Sequence, residues 1–128
     1  MLIPKNPRKQ SQSFRELAYL EDCTMMVPGV CNFDPETVVL AHSNALADGK
    51  GKGYKTHDHL GAFACYACHS WLDQGGSAPK EEKDARFLAG QLRTRLRLID
   101  IADSPTMRPA KKAAAQWGLD RLSEDGLL

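Results

Sequence analysis

Cys65-Tyr66-Ala67-Cys68-His69 is the stretch whose reading decides the fold. Two cysteines three positions apart form the tight knuckle that places both sulfurs on one ion. Upstream lie Cys23 and Cys31, which complete the four cysteines of the 128-residue chain. Pro28-Gly29 between them is a turn that brings the chain back, so both sulfurs can reach a common point. Residues 1–12 are polar and basic with no apolar core of a signal peptide, so a cytoplasmic location is expected. Thiols stay reduced there, and four cysteines in this pattern then point to Zn²⁺ rather than to disulfides. A four-thiolate shell leaves no open position, which makes such a site structural.

Three of the four histidines, His42, His57 and His59, lie between the cysteine pairs, and His69 follows the last cysteine. Val38-Val39-Leu40-Ala41-His42 reads as a short buried strand with the histidine at its end. Residues 43–56 hold Gly49, Gly51 and Gly53 among Lys50, Lys52 and Lys55, a basic loop without the spacing of a Walker motif. A second strand is expected over 60–64, and a helix from His69 or Ser70 to Gln74, ended by Gly75-Gly76.

Outside this frame, 1–12 reads as a flexible basic tail. Ser13 is expected to cap a helix over 14–20, with Glu16 as its capping-box partner. A long amphipathic helix is predicted from Pro79 to Ala102, with Ala85, Leu88, Leu92, Leu96 and Ile99 as its apolar stripe and Arg86, Arg93 and Arg97 opposite. The stripe, at Leu92 and Leu96, could also serve a homodimer. A last helix over 109–122 opens on Pro109, and its Ala110, Ala113, Ala114 and Trp117 are placed to pack on the long helix. Apolar residues make up 42 % and charged residues 26 %, and the net charge is +1. That is the composition of one globular domain, and no apolar run is long enough to span a membrane. The single domain divides into the tail, a zinc-bound finger over 14–75 and a helical extension over 79–122.

The order of these features resembles a known family. Cys23-x7-Cys31 ends in Pro28-Gly29-Val30-Cys31-Asn32. Pro35-Glu36-Thr37, Val39-Leu40-Ala41-His42, Asp58 and Ala64-Cys65-x-x-Cys68-His69 follow. This looks like the HNH nucleases of the ββα-metal (His-Me finger) superfamily, and within it the small prophage-encoded HNH-like nucleases typified by YbcO. The resemblance implies an α+β fold: a zinc-stapled finger of two short antiparallel strands and a helix, with an N-terminal and two C-terminal helices around it. It implies hydrolysis of phosphodiester bonds in DNA, in phage recombination, replication or packaging. His42 matches the general base, a role suited to an imidazole pKa. His69 matches the ligand of one catalytic Mg²⁺ or Mn²⁺. Asp58 stands near the family's middle asparagine, as a second ligand or a loop anchor. Ala41 occupies a position where many HNH enzymes carry a metal ligand, so His57 or His59 would have to complete the set. DNA contacts would run mainly to phosphates, from Lys50, Lys52, Lys55, Arg86 and Arg93.

Two other classes fit parts of the pattern. CxxCH is also a c-type haem attachment signature, but that needs export and leaves Cys23 and Cys31 unexplained. A zinc module that binds nucleic acid or protein without cutting explains the cysteines and the basic residues, and leaves the placing of His42 and His69 to chance.

Overall fold

The computed structural model describes residues 8–42, 56–74 and 78–128. The chain runs through α1 (Gln12–Leu17), a 3₁₀ turn (Pro35–Thr37), β1 (Val39–Ala41), a second 3₁₀ turn (Asp58–Leu60), β2 (Ala62–Ala64), α2 (Tyr66–Gln74), α3 (Lys80–Asp103) and α4 (Pro109–Glu124). The strands pair antiparallel in the register Val39↔Ala64, Leu40↔Phe63, Ala41↔Ala62. This is the expected α+β arrangement of a two-stranded hairpin followed by a helix. Lys50, Lys52 and Lys55 lie outside the described residues.

A hairpin of three-residue strands is not stable alone. Here its backbone is completed from outside. Thr24 N–H and Oγ1 both donate to Phe63 C=O, at 2.7 and 2.8 Å, and Phe63 N–H donates to Thr94 Oγ1 at 3.1 Å. Gln91 Nε2 donates to Leu60 C=O at 2.8 Å. Gly61 is required at the strand entry, because a Cβ there would lie 2.8 Å from Ala41 O. The backbone approaches too closely for any other residue.

The needs of the hairpin explain why α3 is turned about its axis from the expected orientation. Its buried face is Phe87, Gly90, Gln91, Thr94, Leu98 and Ile101. Gly90 lets the helix approach Met25 and Ala62, while Gln91 and Thr94 satisfy hairpin backbone groups that meet no third strand among the described residues. The more apolar stripe faces outward: Leu88 is 52 %, Leu92 49 %, Leu96 65 % and Ile99 37 % exposed. Arg93 is also structural, donating to Thr24 C=O at 2.7 Å.

Two terminal features depart from expectation. Ser11, not Ser13, caps α1, with its Oγ accepting from Phe14 N–H at 3.2 Å, and α1 ends at Leu17. From Arg8 onward the N-terminal segment is held in place: Arg8 Nε donates to Thr56 C=O and Lys9 N–H to His57 Nδ1. In α4, Ala114, Ala115, Gly118, Leu119 and Leu122 are buried, whereas Ala110 and Ala113 are exposed. Trp117 packs on Phe14 of α1, with ring centroids 5.4 Å apart.

A Cβ at Gly118 would collide with the Phe14 ring. Replacing glycine by alanine on an exposed helix face stabilises by about 1 kcal/mol. At this site overpacking reverses the sign, so Gly118→Ala should destabilise the protein by roughly 1–3 kcal/mol in urea unfolding.

Candidate metal centre and histidine–aspartate site

The Sγ atoms of Cys23, Cys31, Cys65 and Cys68 all lie within 4.8 Å of one another, and none is in a disulfide. Each pair arrives from a turn. Val27 C=O accepts from Val30 N–H and Cys31 N–H across the Pro28-Gly29 turn, where Gly29 takes a φ of 74°. Cys65 and Cys68 sit at the start of α2, and Cys68 N–H donates to Cys65 Sγ at 3.4 Å. Burial pushes the Cys31 thiol up to about 11 and Cys68 higher still, each aided by its cysteine neighbours. Burial also raises Cys65, but amide donors from Cys68 and Asn32 outweigh it and draw that thiol down. Four such sulfurs are deprotonated together only around a cation. The Cys31–Cys65 Sγ separation is 3.8 Å. A tetrahedron with metal–sulfur bonds of about 2.3 Å has an edge of about 3.8 Å. The donor set and its spacing are compatible with a metal such as zinc.

Asp58 is the second centre. Its side chain is 0 % exposed, and its two oxygens accept from four donors. Oδ1 takes Arg8 Nη2 at 2.9 Å and His42 Nε2 at 2.7 Å; Oδ2 takes Ser11 N–H at 2.8 Å and Arg15 Nη1 at 2.7 Å. Burial alone would raise the carboxyl pKa. The bonds from His42, Ser11 and Arg15 overcome it and hold the group below its ordinary 3.8. A carboxylate beside His42 Nε2 assigns the ring proton to that nitrogen, so the basic lone pair is on Nδ1. Register supplies the meeting: Ala41 opposite Ala62 sets the residue after β1 beside the turn that precedes β2.

The other histidines go elsewhere. His59 Nε2 meets Asp125 Oδ2 at 2.6 Å, its side chain is fully buried, and its Nδ1 has no partner among the described residues. The ring stacks on His57 at 5.5 Å and meets the edge of Trp117 at 6.2 Å. Burial holds His59 below its ordinary 6.5, with Asp125 pulling the other way. His69 pairs with Asp73 one turn along α2 at 3.0 Å and is partly exposed. Among the described residues, the four cysteines are the only group of three or more His, Cys, Asp or Glu side chains close enough to share an ion. Asp58 and His59, read from sequence as candidate ligands, are each engaged by protein partners. Arg8, Arg15 and Asp125 were not singled out in the sequence. They meet their partners across 43 to 66 residues, and no local pattern marks such pairs. No helix among the described residues is long and apolar enough to cross a membrane.

Fold and site together define a small α+β protein whose hairpin and following helix are gathered by a metal-type four-cysteine cluster, with a histidine held by a buried aspartate at the strand end. The model of the family described as "Putative nuclease YbcO" matches residues 12–102, more than half of the chain. The chain belongs to this family. It is 43 % identical over 60 residues to the protein named "Putative nuclease YbcO" of Escherichia coli K-12, and equally to that of Enterobacteria phage 82. Each match covers 47 % of this chain and 62 % of the relative. The solved structure of "a putative bacteriophage protein" from E. coli K-12 aligns with a TM-score of 0.53 at 31 % identity, over 67 % of this chain and 95 % of that one.

The two shifted groups give a pH signature. Both folded-state values lie below the unfolded ones, so both contributions are complete at high pH and lost on acidification. The His59 contribution should decline as pH falls below about 6.5, and the Asp58 contribution below about 3.8. Asp58→Asn should remove the second phase and, by leaving two half-exposed guanidinium groups short of their counter-charge and a buried amide mismatched to its donors, cost roughly 1–3 kcal/mol in denaturant unfolding at neutral pH.

Proposed function

We propose that this protein is a metal-dependent endonuclease that hydrolyses phosphodiester bonds in DNA, with a structural zinc at Cys23, Cys31, Cys65 and Cys68. The observation that carries the proposal is His42. It ends a strand of the cysteine-pinned hairpin, and a buried carboxylate fixes its tautomer and direction. Membership of a family described as a nuclease supports the same reading.

In this mechanism His42 Nδ1 takes the proton of the attacking water, and Asp58 holds the ring and stabilises the imidazolium that forms. Asp58 is thus a positioning residue rather than a metal ligand. Arg8, within 3.1 Å of His42 Nε2, sets positive charge beside the place where the phosphate must come. The candidate ligand of a catalytic Mg²⁺ or Mn²⁺ is His69 with its neighbour Asp73. Such an ion would supply charge neutralisation at the leaving 3′ oxygen. His59 and Asp125 lie outside this chemistry and fix the end of α4. The phage protein among the relatives fits a role in phage recombination, replication or packaging.

A second reading, a zinc module that binds nucleic acid or protein without cutting, is favoured by one observation. Among the described residues no other ligand cluster of three stands beside the cysteines.

Plasmid nicking with Mg²⁺ or Mn²⁺ separates the two. The parent should cut. His42→Ala should lose about 10²–10⁴-fold in rate, the usual contribution of a general base, and His69→Ala should lose activity with its zinc content unchanged. No cutting of duplex, single-stranded or branched DNA by folded, zinc-loaded protein would establish the non-catalytic module. Removal of zinc by a strong chelator, or Cys65→Ser, should melt the hairpin and abolish cutting.

A further inference from the structure

A cleft of about 410 Å³ opens between the N-terminal segment and α4, lined by Arg8, Lys9, Gln10, Trp117, Arg121 and Glu124. All six residues fall outside the 12–102 stretch that the family model matches. The family core therefore carries an added wall on each side of this space. The walls are tied together: Lys9 Nζ meets Glu124 at 3.3 Å, Lys9 N–H meets His57, and His59 meets Asp125 at the end of α4. The Arg121 guanidinium lies over the Trp117 ring, 5.7 Å from its centroid, and makes a forked pair with Glu124 at 2.6–3.0 Å. The lining holds three cations and one anion. Arg8 joins the cleft to the candidate catalytic site, since the same side chain touches His42 and Asp58.

We propose that this cleft binds the sugar–phosphate backbone of a nucleic-acid strand and leads it past Arg8 to His42. Planar guanidinium groups match phosphate oxygens in a fork, and a lysine adds a point charge. Arg121 lies over the Trp117 ring, with the Glu124 carboxylate in the place a phosphate would take. Glu124 also accepts from Lys9, so one carboxylate occupies both cations. A phosphate entering the cleft competes with that carboxylate. Removing the carboxylate's charge should therefore strengthen binding, and removing either cation should weaken it.

The proposal rests on the nucleic-acid reading above but not on cleavage, so the test uses full-length His42→Ala protein loaded with zinc. Binding of fluorescein-labelled DNA and RNA oligonucleotides, single-stranded and duplex, is followed by anisotropy and by tryptophan emission over a salt series. Lys9→Gln and Arg121→Gln should each weaken binding roughly three- to tenfold and flatten the salt dependence by about one phosphate contact. Glu124→Gln should tighten it by a similar factor. Glu36→Gln and Lys80→Gln, equal charge changes on exposed residues elsewhere, should do neither. The emission change on binding should vanish in Trp117→Phe. DNA and RNA bound alike would mark backbone recognition, and preference for one would name the strand. Unchanged affinity and salt slope in Lys9→Gln and Arg121→Gln, with oligonucleotide still bound, overturns the cleft and leaves the nuclease reading standing. Equal binding of poly-glutamate makes this an acidic-protein site and overturns the proposal. No oligonucleotide bound by folded protein removes both readings.

Discussion

A carboxylate with no solvent exposure must be matched by donors or lose its charge. Asp58 is such a group, and the N-terminal half of the fold is gathered to meet its demand. Its four donors come from the segment before α1, from α1 itself and from the end of β1. One oxygen fixes a histidine and an arginine, and the other fixes a second arginine and a backbone amide near the α1 cap. The arrangement carries one negative charge against two guanidinium groups, so the neighbourhood stays electropositive after Asp58 is satisfied. The same carboxylate therefore holds both the segment from Arg8 to Arg15 and the His42 ring.

The cysteine cluster is the complementary constraint at the other end of the hairpin. Three-residue strands bury little surface and make few ladder bonds. The turn at Pro28-Gly29 and the first turn of α2 each bring two sulfurs to one point. A metal there would join segments more than thirty residues apart and substitute for the core that so small a sheet lacks. The same shortage accounts for the polar inner face of α3. Thr94 and Gln91 are buried because they receive backbone groups of Phe63 and Leu60 that no third strand among the described residues pairs with.

The family match and the added elements divide the work. Residues 12–102 hold the cysteines, the hairpin, His42, Asp58 and α3. The stretch before it and α4 after it lock onto each other through Lys9–Glu124 and onto the core through His57, His59 and Phe14. The N-terminal addition also reaches into the core, since Arg8 and the Ser11 amide supply two of the four donors to Asp58. The outward leucine ridge of α3 belongs to the matched core, so the cleft and the ridge present distinct surfaces.

Sequence by itself determined what depends on short spacing. Cys-x-x-Cys and the Pro28-Gly29 turn announced the cluster, β-branched residues marked β1 just before His42, and helical periodicity with Pro109 gave the two long helices within a few residues. These signals are local, because turn geometry and period act between neighbours along the chain. The tertiary structure decided what depends on partners. It turned α3 so that the more apolar stripe faces out, because hydrogen-bond supply to the hairpin outweighed apolar burial in choosing the inner face. It moved the cap to Ser11, whose own amide is held by Asp58. It divided the partners of four histidines that looked like one group, giving His42 to Asp58, His57 to the Lys9 amide, His59 to Asp125 and His69 to Asp73. A buried charge takes whatever donors the fold brings within 3 Å, and a linear sequence does not rank partners that lie more than forty residues away.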